Sequence, residues 1–414
     1  MIDLAIYQAQ LPNNSGLLDV LITEGKIVEI RRPGPIIESK DSIDANGSLL
    51  SPGFIDSHTH LDTTGVMPAG ESTTLAQAIQ NYSEYLRNLT PEELAADIKK
   101  RARRSLRKAV VAGTTSIRTH VSVDAVNGWR SVEAMNELRD EMQPYIEIQI
   151  TAFPVFHGRL DEQQEHFDML DRMARNRLIN AIGGAPHFYD ERIGFTRELF
   201  RIAVKNDLDV DFHIDEHDNP NIDTFLETAR LTLENKYEGR VSCGHVTALC
   251  RVDDGLAAEA IAMAKEARLH IITLPSCNLY LMARADRQPI PRGVTRIKEF
   301  LEAGVNIAYA SDNVRDPFRP IGNADMLEEG LLTGQVAQML SDSELQVIHR
   351  MGTIHAARAM RLDDYGLAVG KRADLVLLDA SDIASAFRDQ ATRLAVIKNG
   401  RIVATSKRIT SVAF

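Results

Sequence analysis

Cysteine is nearly absent from this chain: its 414 residues contain only Cys243, Cys250 and Cys277. So sparse and odd a set excludes a disulfide framework and points to a reducing compartment, the cytoplasm. Long apolar runs are missing as well, and no stretch reaches the ~18 residues that a membrane span needs. The opening residues, MIDLAIYQAQ, carry neither the positive region nor the apolar run of a secretory signal. Basic blocks are absent too. With 47 Lys and Arg against 58 Asp and Glu the net charge is −11, and no basic stripe is interleaved with aromatics, which argues against nucleic acid as a partner. What remains is the composition of an ordinary globular protein, 44% hydrophobic and 25% charged. The length allows a large core and more than one domain.

The two ends of the chain share one pattern. Residues 2–32 and 373–405 alternate apolar and polar side chains around the turn pairs Glu24-Gly25 and Asn399-Gly400. They are read as one small β-sandwich domain built from both termini, residues 1–50 and 366–414. Residues 51–365 follow another rhythm. Short β-branched or apolar runs recur at Ile55, Thr115–Thr119, Ile146–Phe153, Ile179–Ile182, Val210–Phe212, Val241–Cys243, Ile271–Leu274 and Ile307–Ala310, with helical patterns between them. One helix starts at Thr90, which can cap it, with Pro91 at its first position and Glu93 reaching back, and it ends at Gly113. Another covers Asp254–Ala267. Eight β-α repeats predict an α/β fold, a (β/α)₈ TIM barrel. The longer first interval, Asp62–Leu89, is an insertion expected over the barrel mouth, and Pro275–Arg296, with Asn278, Arg284 and Arg287, is a long loop on the face where such loops often form part of the site, with a solvated connection as the alternative.

Barrel chemistry sits at the C-terminal ends of the strands, and polar residues gather there. Strand one ends in His58 and His60, strand five in His213 and Glu216 with His217 behind, strand six in His245, and strand eight in Asp312. Residues i and i+2 of a strand face the same way, so His58 and His60 can converge on one ion, with His213 and Asp312 completing its shell. Three imidazoles and a carboxylate with an open position suit Zn²⁺ or Fe²⁺.

The stretches PGFIDSHTHLDTT, ITAFP, IGGAPHF, FHIDEHD, GHVTA, NLYLMARADRQPIPRGVTRIKEFL and SDNVRDPF resemble, in order, segments of the amidohydrolase superfamily, in particular its cytosine deaminase-like branch. ASDNVRDPF and IRTHVSVD are also similar to isopropylammelide hydrolases. The resemblance implies a barrel with a terminal β-sandwich, one divalent ion, a small heterocyclic substrate and a homo-oligomer. Superfamily members with two metals bridge them with a carboxylated lysine on strand four. Strand four here, INAIGGAPHF, has no lysine, so a mononuclear site is expected.

By residue type, Asp312 is both ligand and base, His245 stabilises the attacking oxygen, and Glu216 shuttles protons to a ring nitrogen and to the leaving amine. Isopropylammelide hydrolases lack the matching glutamate, so HIDEHD favours a deaminase. Where cytosine deaminases carry a glutamine after AFP, this chain has Val155, followed by Phe156 and His157. Asn313 stands for a second aspartate and Phe318 for a tryptophan. The expected reaction is therefore hydrolytic deamination of a cyclic amidine other than cytosine. Hydrolysis of a ring amide or an N-alkylamino group on a triazine-like ring is the alternative, and a non-catalytic scaffold a distant one, since no ligand is missing. Val155, His157, His187, His217, Asn278, Asn313 and Phe318 are the candidate substrate contacts. His120 is read as structural, and His166, His270, His349 and His355 as packing or surface residues.

Overall fold

A computed structural model describes residues 1–12, 14–67, 74–124, 128–156, 158–288 and 293–413. The chain opens with five strands, β1 (Ile2–Gln10), β2 (Leu17–Thr23), β3 (Lys26–Arg31), β4 (Ser39–Asp44) and β5 (Leu49–Pro52). Eight more follow: β6 (Phe54–Thr59), β7 (Thr114–Val123), β8 (Glu147–Pro154), β9 (Ala181–Gly184), β10 (Asp209–Ile214), β11 (Val241–His245), β12 (His270–Thr273) and β13 (Asn306–Tyr309). The last are β14 (Leu375–Leu378), β15 (Arg393–Lys398) and β16 (Arg401–Thr405).

The first and last groups form one sheet in the order β16-β15-β14-β5-β1-β2-β3, with β4 parallel to β1. The ends of the chain meet where β5 pairs antiparallel with β14. Both turn pairs read from the sequence are hairpin turns with positive φ at each residue, Glu24 and Gly25 at 51° and 74°, Asn399 and Gly400 at 48° and 73°. The two turns abut, and a Cβ on Gly400 would meet the Gly25 Cα at 3.1 Å.

Strands β6–β13 lie parallel in chain order, each overlapping a run picked out by β-branched residues. Between them run helices at Pro91–Val111, Arg130–Met142, Gln164–Arg175, Arg192–Lys205, Asp223–Glu234, Asp254–Glu266 and Ile297–Ala303. Thr90 and Glu93 form the expected capping box, and Asp253 caps the Asp254–Glu266 helix. None of the helices among the described residues is long and apolar enough to cross a membrane.

The sheet is nearly a closed barrel. Its seam, between β6 and β13, is made by few bonds. Asp312 N–H donates to the His58 carbonyl at 2.9 Å and His60 N–H to the Asp312 carbonyl at 3.3 Å. Beneath them the Asp56 carboxylate accepts from Ser311 N–H at 3.0 Å and Ser311 Oγ at 2.5 Å.

Two long connections contain helices that the sequence reading did not specify. Pro275–Leu281, at the start of the long loop to Arg296, is a short helix with Pro275 at its first turn and Ser276, Cys277, Asn278 and Leu281 buried. Its two turns are too short to show a 3.6-residue period in the sequence. The Asp62–Leu89 insertion contains a helix, Leu75–Arg87, capped by Thr74.

Strand β13 is fixed from behind by Tyr309, fully buried, whose hydroxyl donates to the Met326 carbonyl at 2.9 Å. Two glycines make room for its ring. A Cβ on Gly330 would meet Tyr309 Cζ at 2.9 Å, and one on Gly352 would meet it at 2.5 Å. Gly352→Ala is therefore expected to destabilise the protein by about 1–3 kcal/mol through overpacking. Denaturant unfolding checks this, and an unchanged midpoint would show that the Tyr309 ring yields.

Candidate metal and catalytic centre

His58 and His60 leave the end of β6 two positions apart, and both reach the same point in the barrel. His58 Nε2 lies 3.2 Å and His60 Nε2 3.0 Å from His213 Nε2, at the end of β10. Asp312 Oδ1 lies 3.7 Å from His58 Nε2 and 3.3 Å from His60 Nε2. Ligands at about 2.1 Å from one ion stand roughly 3.0–3.4 Å from each other; three of these edges match a single coordination shell, and the His58–Asp312 edge, at 3.7 Å, is slightly longer. Hydrogen bonding does not account for the cluster. Both oxygens of the buried Asp312 carboxylate lack a hydrogen-bond partner, and an uncompensated buried carboxylate is costly. These four residues could hold a divalent cation.

Electrostatics favour ligand-competent neutral rings at His58 and His213, whereas at His60 burial is outweighed by the Asp312 carboxylate, which raises the imidazole. Burial, then neighbouring imidazoles, push His58 and His213 well below the ordinary histidine range, which keeps the rings neutral. Burial raises the Asp312 carboxyl, but His245 and His60 outweigh it and it falls to about 2.

Beside the quartet stand Glu216, His245 and Asn278, all buried. His245 Nδ1 lies 3.3 Å from Glu216 Oε1. Asn278 Nδ2 reaches His245 Nδ1 at 3.0 Å and Glu216 Oε1 at 3.4 Å. The Pro275–Leu281 helix thus carries an amide that touches both groups. Burial, and then the Asp312 charge, push the Glu216 carboxyl well above its ordinary value, which favours its protonated form. His245 Nε2 is buried with no hydrogen-bond partner.

The backbone turns sharply to deliver these side chains. Asp215, His245, Val246 and Asp312 have φ of 46°, 67°, 52° and 56°. For a β-branched residue such as Val246 this is an outlier, and such strain persists where the surroundings over-determine it. Here Val246 N–H donates to the Ile214 carbonyl at 2.9 Å, and the Asp215 carboxylate accepts from Thr224 Oγ1 and from Phe225 N–H at 3.1 Å.

The remaining candidates divide. His187 Nδ1 meets the His213 carbonyl at 3.2 Å, and its Nε2 is buried without a partner. His217 lies 5.6 Å from it, ring to ring, with Nδ1 on the Asn219 carbonyl at 3.0 Å. Val155 is half-buried just past β8. The Asn313 amide is committed within the chain: Nδ2 donates to Asp316 Oδ2 at 2.7 Å and Oδ1 accepts from Cys277 Sγ at 3.7 Å. Phe318 meets Tyr82 edge-on at 6.3 Å. His157 lies outside the described residues. Arg284 and Arg287 are exposed, Arg284 over the Tyr280 ring. His270, His349 and His355 hydrogen-bond to Gly239, Ser51 and Ile307.

Sequence reasoning missed Phe153, whose ring lies 4.6 Å from that of His213 and 5.7 Å from that of His60. Its place at the last turn of β8, alternate with Thr151, was the available signal. The buckle over the mouth also went unread. Thr63 Oγ1 donates to Asp316 Oδ2 at 2.7 Å and Thr64 Oγ1 to the Val314 carbonyl at 2.9 Å, while Arg101 holds the Asp62 and Thr64 carbonyls.

Known proteins share this architecture. The amidohydrolase family model matches residues 41–127 and 80–404. N-isopropylammelide isopropyl amidohydrolase of Pseudomonas sp. strain ADP is 34% identical over 421 residues, 99% of each chain. Pterin deaminase of Rhizobium rhizogenes is 32% identical over 404 residues, 95% of this chain and 89% of its own. The crystal structure of 5-methylcytosine deaminase from Klebsiella pneumoniae with 5-fluorocytosine superposes at TM-score 0.91 and 27% identity, covering 99% of each chain. A family match across most of the chain, and a 34% identical relative along nearly all of it, establish the membership: this protein belongs to the amidohydrolase family.

Proposed function

We propose that this protein is a metal-dependent aminohydrolase that hydrolyses the exocyclic C–NH₂ bond of a small nitrogen heterocycle and releases ammonia. The observation that carries the reading is the buried Glu216 carboxyl, tied to His245 and Asn278 beside the four-ligand cluster. Hydrolysis of an amidine carbon needs an acid for the ring nitrogen as that carbon becomes tetrahedral, and a buried carboxyl beside the cluster, with its pKa raised, supports that role for Glu216.

In this reading His58, His60, His213 and Asp312 hold one Zn²⁺ or Fe²⁺, and residues 51–365 are the catalytic unit. The ion supplies Lewis acidity that brings the pKa of a water toward neutrality. Asp312 takes the proton of the attacking water. His245 Nε2, with no partner of its own, hydrogen-bonds the attacking oxygen. Glu216 gives its proton to the ring nitrogen, takes the remaining proton from that oxygen, and passes it to the amine as the C–N bond breaks. The proton on Asp312 restores Glu216. Phe153 and Phe318 give the ring apolar walls, and His187 and His217 offer polar atoms to its edge. The sparse, unpaired cysteines suit the cytoplasm.

A second reading rests on the 34% identical relative, named for isopropyl amidohydrolysis. There the same groups expel an alkylamine from an N-alkylamino ring, so the amine released separates the two readings.

Purified protein is expected to carry one divalent ion per chain, and His213→Ala to lose most of it, by elemental analysis; two ions per chain would overturn the single-ion site. Glu216→Gln is expected to keep the ion and lose about 10²–10⁴-fold in turnover, because an amide cannot shuttle protons. Turnover within a few-fold of the native enzyme would remove Glu216 from this role. A panel of aminopyrimidines, aminotriazines and pterins, assayed for ammonia, names the substrate. Cytosine is expected to be poorer than the best of them by about tenfold or more, since Val155 leaves a polar edge unpaired at ~1–3 kcal/mol. Val155→Gln is expected to raise relative activity on cytosine.

A further inference from the structure

Metal-binding histidines normally fix their rings by donating the second N–H to a carboxylate, carbonyl or water. Two of the three histidines in the cluster lack such a protein partner: His58 Nδ1 and His213 Nδ1 are both buried with none. The orientation of His58 must come from packing. Its edge lies against the backbone of β11, where a Cβ on Gly244 would meet His58 Cε1 at 2.8 Å and Nδ1 at 3.0 Å. Its ring also tilts against that of His120, centroid to centroid 4.0 Å.

His120 is the upper end of a charged column inside the barrel. Barrel interiors are ordinarily filled by branched apolar side chains, but here Arg118, His120 and Asp211 are each at most 2% exposed. Arg118 and His120 are alternate residues of β7, and Asp209, Asp211 and His213 of β10, so each set faces one way. His120 Nε2 lies 3.3 Å from the Asp211 carbonyl and 3.5 Å from Asp211 Oδ1. Asp211 Oδ2 accepts from Arg118 Nη1 at 3.1 Å, and Arg118 also donates to Gln149 Oε1 at 2.7 and 2.9 Å. Asp209, 3.8 Å from Arg118, meets Arg240 at 3.1 Å and Arg361 at 2.8 Å at the barrel floor. Buried ion pairs of this kind are often replaceable by apolar residues without loss of stability, so stability alone does not explain the column.

We propose that His120 is a positioning residue for the ion: anchored by Asp211 and Arg118, its ring is the seat that fixes the His58 imidazole toward the site. The inference rests on the assignment of His58 as a ligand. The ring, rather than a charge on it, is what acts, so an aromatic replacement retains the effect and an aliphatic one of similar volume does not.

The test is Co²⁺ binding to the full-length apoprotein, followed by its visible spectrum and by competition with a chelator, for His120→Leu, His120→Phe and His213→Ala. His120→Leu is expected to bind about 10–100-fold more weakly with an altered spectrum, and His120→Phe to return to within a few-fold of native. Native affinity and spectrum in His120→Leu would overturn the proposal, as would equal losses in the two variants. Should His120→Leu not fold, His120→Phe decides alone: a native spectrum supports the seat and a changed one overturns it. If His213→Ala binds Co²⁺ like the native protein, the ligand assignment itself fails. If it loses the ion while His120→Leu keeps it, only the role of His120 fails.

Discussion

Asp312 carries two obligations within a few ångströms. Its peptide N–H and C=O join β13 to β6 and close the barrel, and its carboxylate is buried with no hydrogen-bond donor. The first makes closure depend on the loop after β13 adopting a left-handed turn. The second leaves a buried negative charge that a cation would compensate, beside the imidazoles that already outweigh burial and lower its pKa. Fold and site are therefore coupled at one residue. The same loop is buckled to the β6 loop through Thr63 and Asp316, so His58, His60 and Asp312 cannot drift apart without opening the seam.

Much of this was legible in the chain. Period-2 spacing placed His58 and His60 on one face, and β-branched runs at nearly regular intervals carried the barrel with its polar residues at the strand ends. The structure brings His58, His60, His213, Glu216, His245, Asn278 and Asp312 together. What escaped depends on register between distant strands. Whether Arg118 meets Asp211 is decided by side chains crossing the barrel interior, and nothing local to either β7 or β10 encodes it. Asn313 illustrates the opposite case. An amide at the mouth reads as a substrate contact, yet Asp316 and Cys277 occupy it. Phe153 looked like ordinary strand filling because an aromatic at a strand end has no sequence mark distinguishing core from pocket wall.

The arrangement of Glu216, His245 and Asn278 explains why a short helix is worth building between β12 and the Ile297–Ala303 helix. In the proposed reaction, two groups with different roles must be held near one small molecule without neutralising each other. Asn278, whose amide cannot titrate in this range, can bond to both without taking part in proton transfer. Its own Oδ1 is left buried and without a protein partner, facing a region where polar ligand atoms are expected.

The pairing of β5 with β14 has a consequence for how the chain is made. Leu49–Pro52 sits on Leu375–Leu378, and only Gly53 separates β5 from the strand that bears His58. On the ribosome, β5 waits while the whole barrel is synthesised before its partner emerges. The edge that supports the strand bearing His58 is thus completed only after the barrel. Such a long-range contact is slow to form, and the unpaired edge is exposed to wrong partners meanwhile. Full anchoring of the site therefore waits until β14 has been made.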